Sequence, residues 1–241
     1  MIQDRSQEPM YFTCHTSFSE LPADEWNALL AESSMHVPFL RHEYLRTWAE
    51  TRGGAEWPPF DLYLVAARDE TGRLLGLAPL FYEAAGQRLM LLGSVEISDY
   101  LDLIARPADL PDFTAGLLAY LPGLPCPWRS LDLYNLLDSS PTLPALAAAA
   151  QARGWRETRQ TLQHSPCISL PGDWETYLAG IDKKQRHEIR RKMRRLEESG
   201  VAWRWYIAAD REALPDEIEA FLALMLQDAA KETFLTAPMR A

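Results

Sequence analysis

The chain has 241 residues, 47% apolar and 24% charged, ordinary globular proportions with room for one large domain or one domain and part of another. Its 34 acidic residues outnumber 24 basic ones, and the net charge of −10 argues against nucleic-acid binding over the whole surface, though not against a local basic patch. No tract is apolar enough to span a bilayer, the N-terminus lacks the layout of a secretory signal, and Cys14, Cys126 and Cys167 are too few and scattered for a disulfide framework or a zinc site. A cytoplasmic location is the expectation.

In chain order, Tyr11 to Thr16 is a short β-prone run. Pro22 to Ala31 is expected as a helix with Trp26, Leu29 and Leu30 on one face, and Arg41 to Thr51 as a second helix with Tyr44, Leu45 and Trp48 in a stripe and Gly53-Gly54 as its stop. The period then changes. Leu62–Arg68 and Arg73–Tyr82 read as a hairpin across Asp69-Glu70-Thr71-Gly72. Arg88–Leu92 is a further strand, Gly93 and Ser94 break the chain, and Glu96–Ala105 resumes it. Pro107 starts a helix to about Tyr120. Arg129–Tyr134 is a strand, Thr142–Arg153 an alanine-rich helix ended by Gly154, and Trp155–Leu162 and Cys167–Leu170 two more strands. Asp173 caps a short helix, WETYLA.

Asp182 to Gly200 then reads as one amphipathic helix. Asp182 caps it, Gln185 stands where a capping box would place it, and Gly200 suits a left-handed stop. Ile189, Met193 and Leu196 form its apolar row, which Leu178 and Ile181 extend backwards. Between Lys183 and Arg195, eight cations (Lys183, Lys184, Arg186, Arg190, Arg191, Lys192, Arg194 and Arg195) face Glu188 alone, a local balance of +7 that leaves −17 for the rest of the chain. Like charges one turn apart repel, and cations in a first turn oppose the helix dipole. An anion at that end, a phosphate or carboxylate held by Lys183, Lys184, Arg186 and Arg190, would offset both costs. The competing reading is a solvated face that pairs with acids elsewhere. Beyond Gly200 come an expected strand, Val201–Ala208, and a helix from about Pro215 to Glu232.

Residues 11–170 thus run strand, helix, helix, strand, strand, strand, helix, strand, helix, strand, strand. That order resembles the GNAT acyltransferase fold, an α/β mixed sheet with helices on both faces. Pro38-Phe39 before a helix containing Trp48, the run Gly76-Leu77-Ala78-Pro79-Leu80, the stretch Gly93 to Ser98-Asp99-Tyr100, and Cys167-Ile168-Ser169-Leu170-Pro171 leading into a Lys/Arg helix together resemble bacterial acetyltransferase-like proteins related to Fem-type aminoacyl transferases and CelD-like proteins. The resemblance implies a first GNAT-like domain over 10–171, connecting helices over 172–200, and over 201–241 the start of a second GNAT-like repeat that the chain does not complete. It also implies an acyl-CoA cosubstrate, acetyl-CoA or another, whose pyrophosphate the GNAT fold rests on a glycine-rich strand-to-helix turn. Here that turn reads Ala105-Arg106-Pro107-Ala108-Asp109-Leu110, without glycine, with a proline lacking its N–H and with an added acid. The first domain is therefore not expected to hold CoA in the usual way, and the cofactor-binding residues are expected beyond Ala241.

For catalysis the candidates lie in Ser98-Asp99-Tyr100-Leu101-Asp102. If the stretch is a strand, Ser98, Tyr100 and Asp102 share one face, and Asp99, Leu101 and Leu103 the other. Asp99 or Asp102 is a candidate to hold an acceptor amine or act as its general base, with Tyr100 beside them. The structural alternative is that one acid caps a loop and the other pairs with arginine. His36, His42 and His164 show no metal-ligand spacing, and the chain has neither GxSxG nor a phosphate-binding glycine motif. Three functions follow. One is acyl-CoA-dependent N-acyl transfer to an amine of a small molecule or an envelope or polysaccharide precursor. Another is Fem-like aminoacyl transfer with the basic helix on tRNA. The third is a non-catalytic interaction module that docks on an acidic partner.

Overall fold

In the computed structural model, which describes residues 9–95 and 97–240, the central strand of the sheet is β3 (Leu74–Glu83), all ten of whose residues are buried. A strand buried on both faces needs cover on both. Gly76 faces Phe113 of α3 (Leu110–Tyr120), so closely that a Cβ there would lie 2.3 Å from the ring. Phe81, an odd number of residues along, faces the opposite side, against Trp48 of α2 (His42–Ala55) and Phe60, with ring centroids 5.6 and 4.6 Å away. Helices thus cover both faces.

The sheet is mixed and mostly antiparallel. β1 (Tyr11–His15), β2 (Asp61–Arg68), β3 and β4 (Arg88–Leu91) pair antiparallel in sequence order, and β6 (Ser130–Asp132) joins β4 in parallel after the crossover through α3. β5 (Ile104–Ala105) also pairs with β3, on the part of it that β4 leaves uncovered. Between the two pairings β3 advances three residues, Leu77 to Leu80, while the edge chain takes thirteen, Leu91 to Ile104. Ten extra residues are therefore extruded from the edge.

This corrects the expected strand over 96–105, whose first residue, Glu96, lies outside the described residues. Only Ile104 and Ala105 pair. The carbonyls that a ladder would use are taken by side chains instead, as described below. The face alternation expected of Ser98 to Leu103 fails with it: Leu101, Asp102 and Leu103 are consecutive and all buried, while Asp99 and Tyr100 are exposed.

α1 (Ala23–Glu32) and α2 form as the apolar spacing predicts, with Trp26, Leu29, Leu30, Leu45 and Trp48 buried; the Trp26 indole N–H donates to the Leu40 carbonyl at 2.9 Å. α2 ends in an unusual turn, Arg52, Gly53, Gly54 and Ala55 all lying at positive φ between 55° and 71°. The two glycines adopt this readily and the other two residues do not. α3 starts three residues later than expected: Pro107 lies in the preceding turn and Pro111 occupies the first helical turn, where its missing N–H costs nothing. α4 (Thr142–Ala152) stops at Gly154, φ +69°.

Two compact units are distinguished, 9–160 with 230–240, and 161–229. The second contains α5 (Trp174–Gly180), α6 (Lys183–Glu198) and α7 (Leu214–Met225), and Leu178 is its only buried core residue. The expected strands 155–162, 167–170 and 201–208 do not form among the described residues. Trp155 instead ends α4, its N–H bonded to Ala150 O at 2.9 Å and its ring 5.7 Å from Trp128. Val201, Trp203, Trp205 and Ile207 keep strand alternation in sequence but are 52–81% exposed and belong to no strand among the described residues. The expected helix from Pro215 to Glu232 is broken at 226–228 into α7 and α8 (Ala229–Phe234), and a short α9 (Ala237–Arg240) follows; Ala241 lies outside the described residues.

Candidate functional site

The extruded edge segment is held as a frame by donors from three other parts of the chain. The Trp57 indole N–H donates to Ser94 O at 2.7 Å. Asn135 Nδ2 donates to Val95 O at 3.2 Å and to Ser98 O at 2.7 Å. The Tyr44 hydroxyl donates to Ile97 O at 2.7 Å and meets Ser98 Oγ at 2.8 Å. Asn135 itself sits at φ 58°, a conformation asparagine tolerates better than most residues. These side chains give the extruded carbonyls the partners that a strand ladder would have supplied.

At the tip stand Asp99, exposed, and Tyr100, 36% exposed at φ 57°. Asp99 makes no hydrogen bond or ion pair among the described residues, yet its charge reaches Tyr44. Burial raises the Tyr44 pKa above the usual phenol value, the Ser98 bond opposes this, and the Asp99 charge adds to it. A carboxylate held near a rigid polar frame and open to solvent is able to bind an ammonium or accept a proton.

Asp102 is not part of that tip. It is 2% exposed, with Ser140 Oγ donating to Oδ2 at 2.5 Å and the Leu103 N–H donating to Oδ1 at 2.8 Å. Burial raises its pKa, against the opposing bonds from Ser140, Thr142 and Leu103. Because Ser140 Oγ also accepts the Thr142 N–H, Asp102 fastens the extruded segment to the start of α4. Its role is thus structural, while Asp99 and Tyr100 are presented outward.

The turn before α3 is closed by its own residues. The N–H groups of Asp109 and Leu110 both donate to Arg106 O at 3.0 Å. The Arg106 guanidinium is engaged by Glu32, by Leu74 O at 3.1 Å and by Asp109 at 3.6 Å. With the Asp109 and Leu110 N–H groups and the guanidinium engaged, no glycine and two acids beside the arginine, this turn does not fit a pyrophosphate.

In the second unit α6 forms over nearly the expected range. Asp182 Oδ1 accepts from Lys184 N at 2.7 Å and Gln185 N at 3.3 Å; the cap is present, but Gln185 does not reach back. Two first-turn N–H groups are therefore already bound to a carboxylate, so an anion there would meet side chains more than backbone. Of the cations, Arg190 pairs with Glu175 at 2.6 Å, and Glu188 holds Arg191 at 2.7 Å and Lys192 at 3.8 Å. The side chains of Lys183, Lys184, Arg186, Arg194 and Arg195 have no polar partner among the described residues. Met193 and Leu196, in the apolar row, are 45% and 42% exposed.

The sequence reading missed Tyr44, Trp57 and Asn135 as the frame. The nearest signals were a Tyr placed only in an apolar stripe and an Asn after a short strand, neither of which reveals a partner 37 to 54 residues away. Among the described residues there is no cluster of His, Cys, Asp and Glu suited to a metal ion, and no helix is long and apolar enough to cross a membrane. Comparison with protein-family models, curated proteins and solved structures returns no match.

Proposed function

We propose that the chain is an acyl-CoA-dependent N-acyltransferase of GNAT-like architecture, related to the CelD-like and Fem-type proteins, acting on an amine of a small molecule or an envelope or polysaccharide precursor. The observation that carries this reading is the sheet order: four strands antiparallel in sequence, a parallel strand added after a helical crossover, and helices on both faces. The edge of that sheet opens where Asp99 and Tyr100 are presented. In this reading the first unit serves the acceptor. Asp99 holds the acceptor ammonium and Tyr100 flanks it, while Lys183, Lys184, Arg186 and Arg190 of α6 take an anionic group of a substrate. The turn at 106–110 takes no part in holding CoA.

The test is thiol release from acetyl-CoA with glucosamine as acceptor, measured on the whole protein. Acceptor-dependent release that falls at least tenfold in Asp99→Asn and little in Asp102→Asn supports the proposal. Absence of release with any amine tried, together with no heat on titrating acetyl-CoA, overturns it.

The five unpartnered cations of α6 favour a second reading, Fem-like transfer from aminoacyl-tRNA. Here tRNA binding falls steeply with salt, and Lys183→Ala with Lys184→Ala reduces the salt slope by about two. A salt-independent or undetectable gel shift removes this reading.

A further inference from the structure

A cavity of about 580 Å³ lies between the turn Phe18–Glu20, α2 and the start of β2, and none of its lining residues belongs to the extruded edge segment. Its size is that of a small-ligand pocket. Its floor is apolar, formed by Leu21, Ala49, Phe60 and Leu62. Among its lining residues is His42, 6% exposed and clamped edge-on by the rings of Phe18 and Trp26 with centroids 5.1 and 5.6 Å away.

His42 Nε2 lies 3.3 Å from the Phe18 carbonyl oxygen, which only accepts. Nε2 therefore carries the proton in the neutral ring, and Nδ1 offers a lone pair. Nδ1 has no hydrogen-bond partner among the described residues. The fully enclosed, unpaired side-chain polar atom among them is Trp48 Nε1, so Nδ1 keeps some access to solvent, on a residue that lines the cavity.

One and two helical turns further along α2, Arg46 and Glu50 stand at the rim, 54% and 65% exposed, with Arg46 Nε 3.5 Å from Glu50 Oε1. Neither side chain makes a hydrogen bond among the described residues, so both charges remain open to a ligand. The cavity thus runs from a buried acceptor over an apolar floor to a cation and an anion side by side. Four residues along the helix rise about 6 Å, the length scale of an aromatic ring and its β-carbon.

We infer that this cavity binds an aromatic amino acid whose ring carries a hydrogen-bond donor. The ring O–H or N–H donates to His42 Nδ1, the ring lies on the apolar floor, the carboxylate meets Arg46 and the ammonium meets Glu50. A neutral apolar ligand would leave the rim charges unused, and a simple anion would be repelled by Glu50. The inference does not rest on the acyl-transfer reading.

The experiment is calorimetric titration of the whole protein with L-tyrosine and, as the same shape without the hydroxyl, L-phenylalanine. Saturable 1:1 binding of L-tyrosine is expected. L-phenylalanine should bind at least about tenfold more weakly, because Nδ1 is then covered without a donor. Arg46→Gln and Glu50→Gln, both at exposed rim positions that leave the melting temperature unchanged, should each weaken L-tyrosine several-fold. No saturable heat with L-tyrosine at millimolar concentration, equal affinity for the two amino acids, or unchanged binding in both variants overturns the assignment.

Discussion

The two units of this chain are built from sequence of similar apolar content but different fate. In 9–160, apolar residues from β2, β3, α1, α2 and α3 converge on one core, and Trp26, Trp48, Phe81 and Phe113 are each at most 2% exposed. In 161–229, Trp203, Trp205, Ile207 and Phe221 are between 52% and 81% exposed. The difference teaches that amphipathic patterning specifies a face but does not supply what covers it. Alternation in 201–208 and the helical stripe of α7 are as clear in the sequence as those of β2 and α1. Only the latter meet a sheet.

That contrast can be broken most severely in the first unit. Phe81→Ala should cost about 3–5 kcal/mol in denaturant unfolding, whereas Phe221→Ala should stay within about 0.5 kcal/mol. Comparable losses in both would erase the distinction. Gly76→Ala comes next: a Cβ 2.3 Å from Phe113 forces the ring or α3 to move, for about 1–3 kcal/mol.

Asp102 sharpens the comparison through pH. Its folded pKa is raised, so the native state binds this proton more tightly than the unfolded chain. The group's contribution is then full below the unfolded value, near about 3.9, and is lost as pH rises through the raised folded value. The penalty of Asp102→Asn should therefore be larger at low pH than at neutral pH, read from unfolding midpoints at the two conditions. An Asn penalty that grows with pH would contradict the burial argument. A modest effect of the opposite sign is expected from Ala55→Gly, which relieves a positive φ of 70° and should stabilise by about 1 kcal/mol in the same assay.

Where a residue's neighbours in sequence decide its structure, the reading from sequence succeeded. Asp173 and Asp182 cap their helices, Gly154 and Gly200 adopt positive φ, and the β2–β3 hairpin turns at Asp69–Gly72. Where the decision lies with a distant donor, it failed. Ser98 to Leu103 look like a strand until Tyr44 and Asn135 claim the carbonyls at its start. The same holds for the candidate site. Asp99, Tyr100 and Asp102 were legible as polar groups in an apolar stretch, but their division into an exposed pair and a buried fastening depends on Ser140 and Thr142, about forty residues later. The pocket histidine was legible only as a lone His, since Phe18 and Trp26, which clamp it, lie in other elements.

The central claim is that one unit is a covered sheet with a framed opening at its edge, while the other presents its apolar and cationic faces to solvent. Amide hydrogen exchange on the whole protein tests this most directly. The account predicts slow exchange across β2 and β3 and fast exchange over 161–170 and 201–208. Protection of 201–208 equal to that of β3 would contradict it.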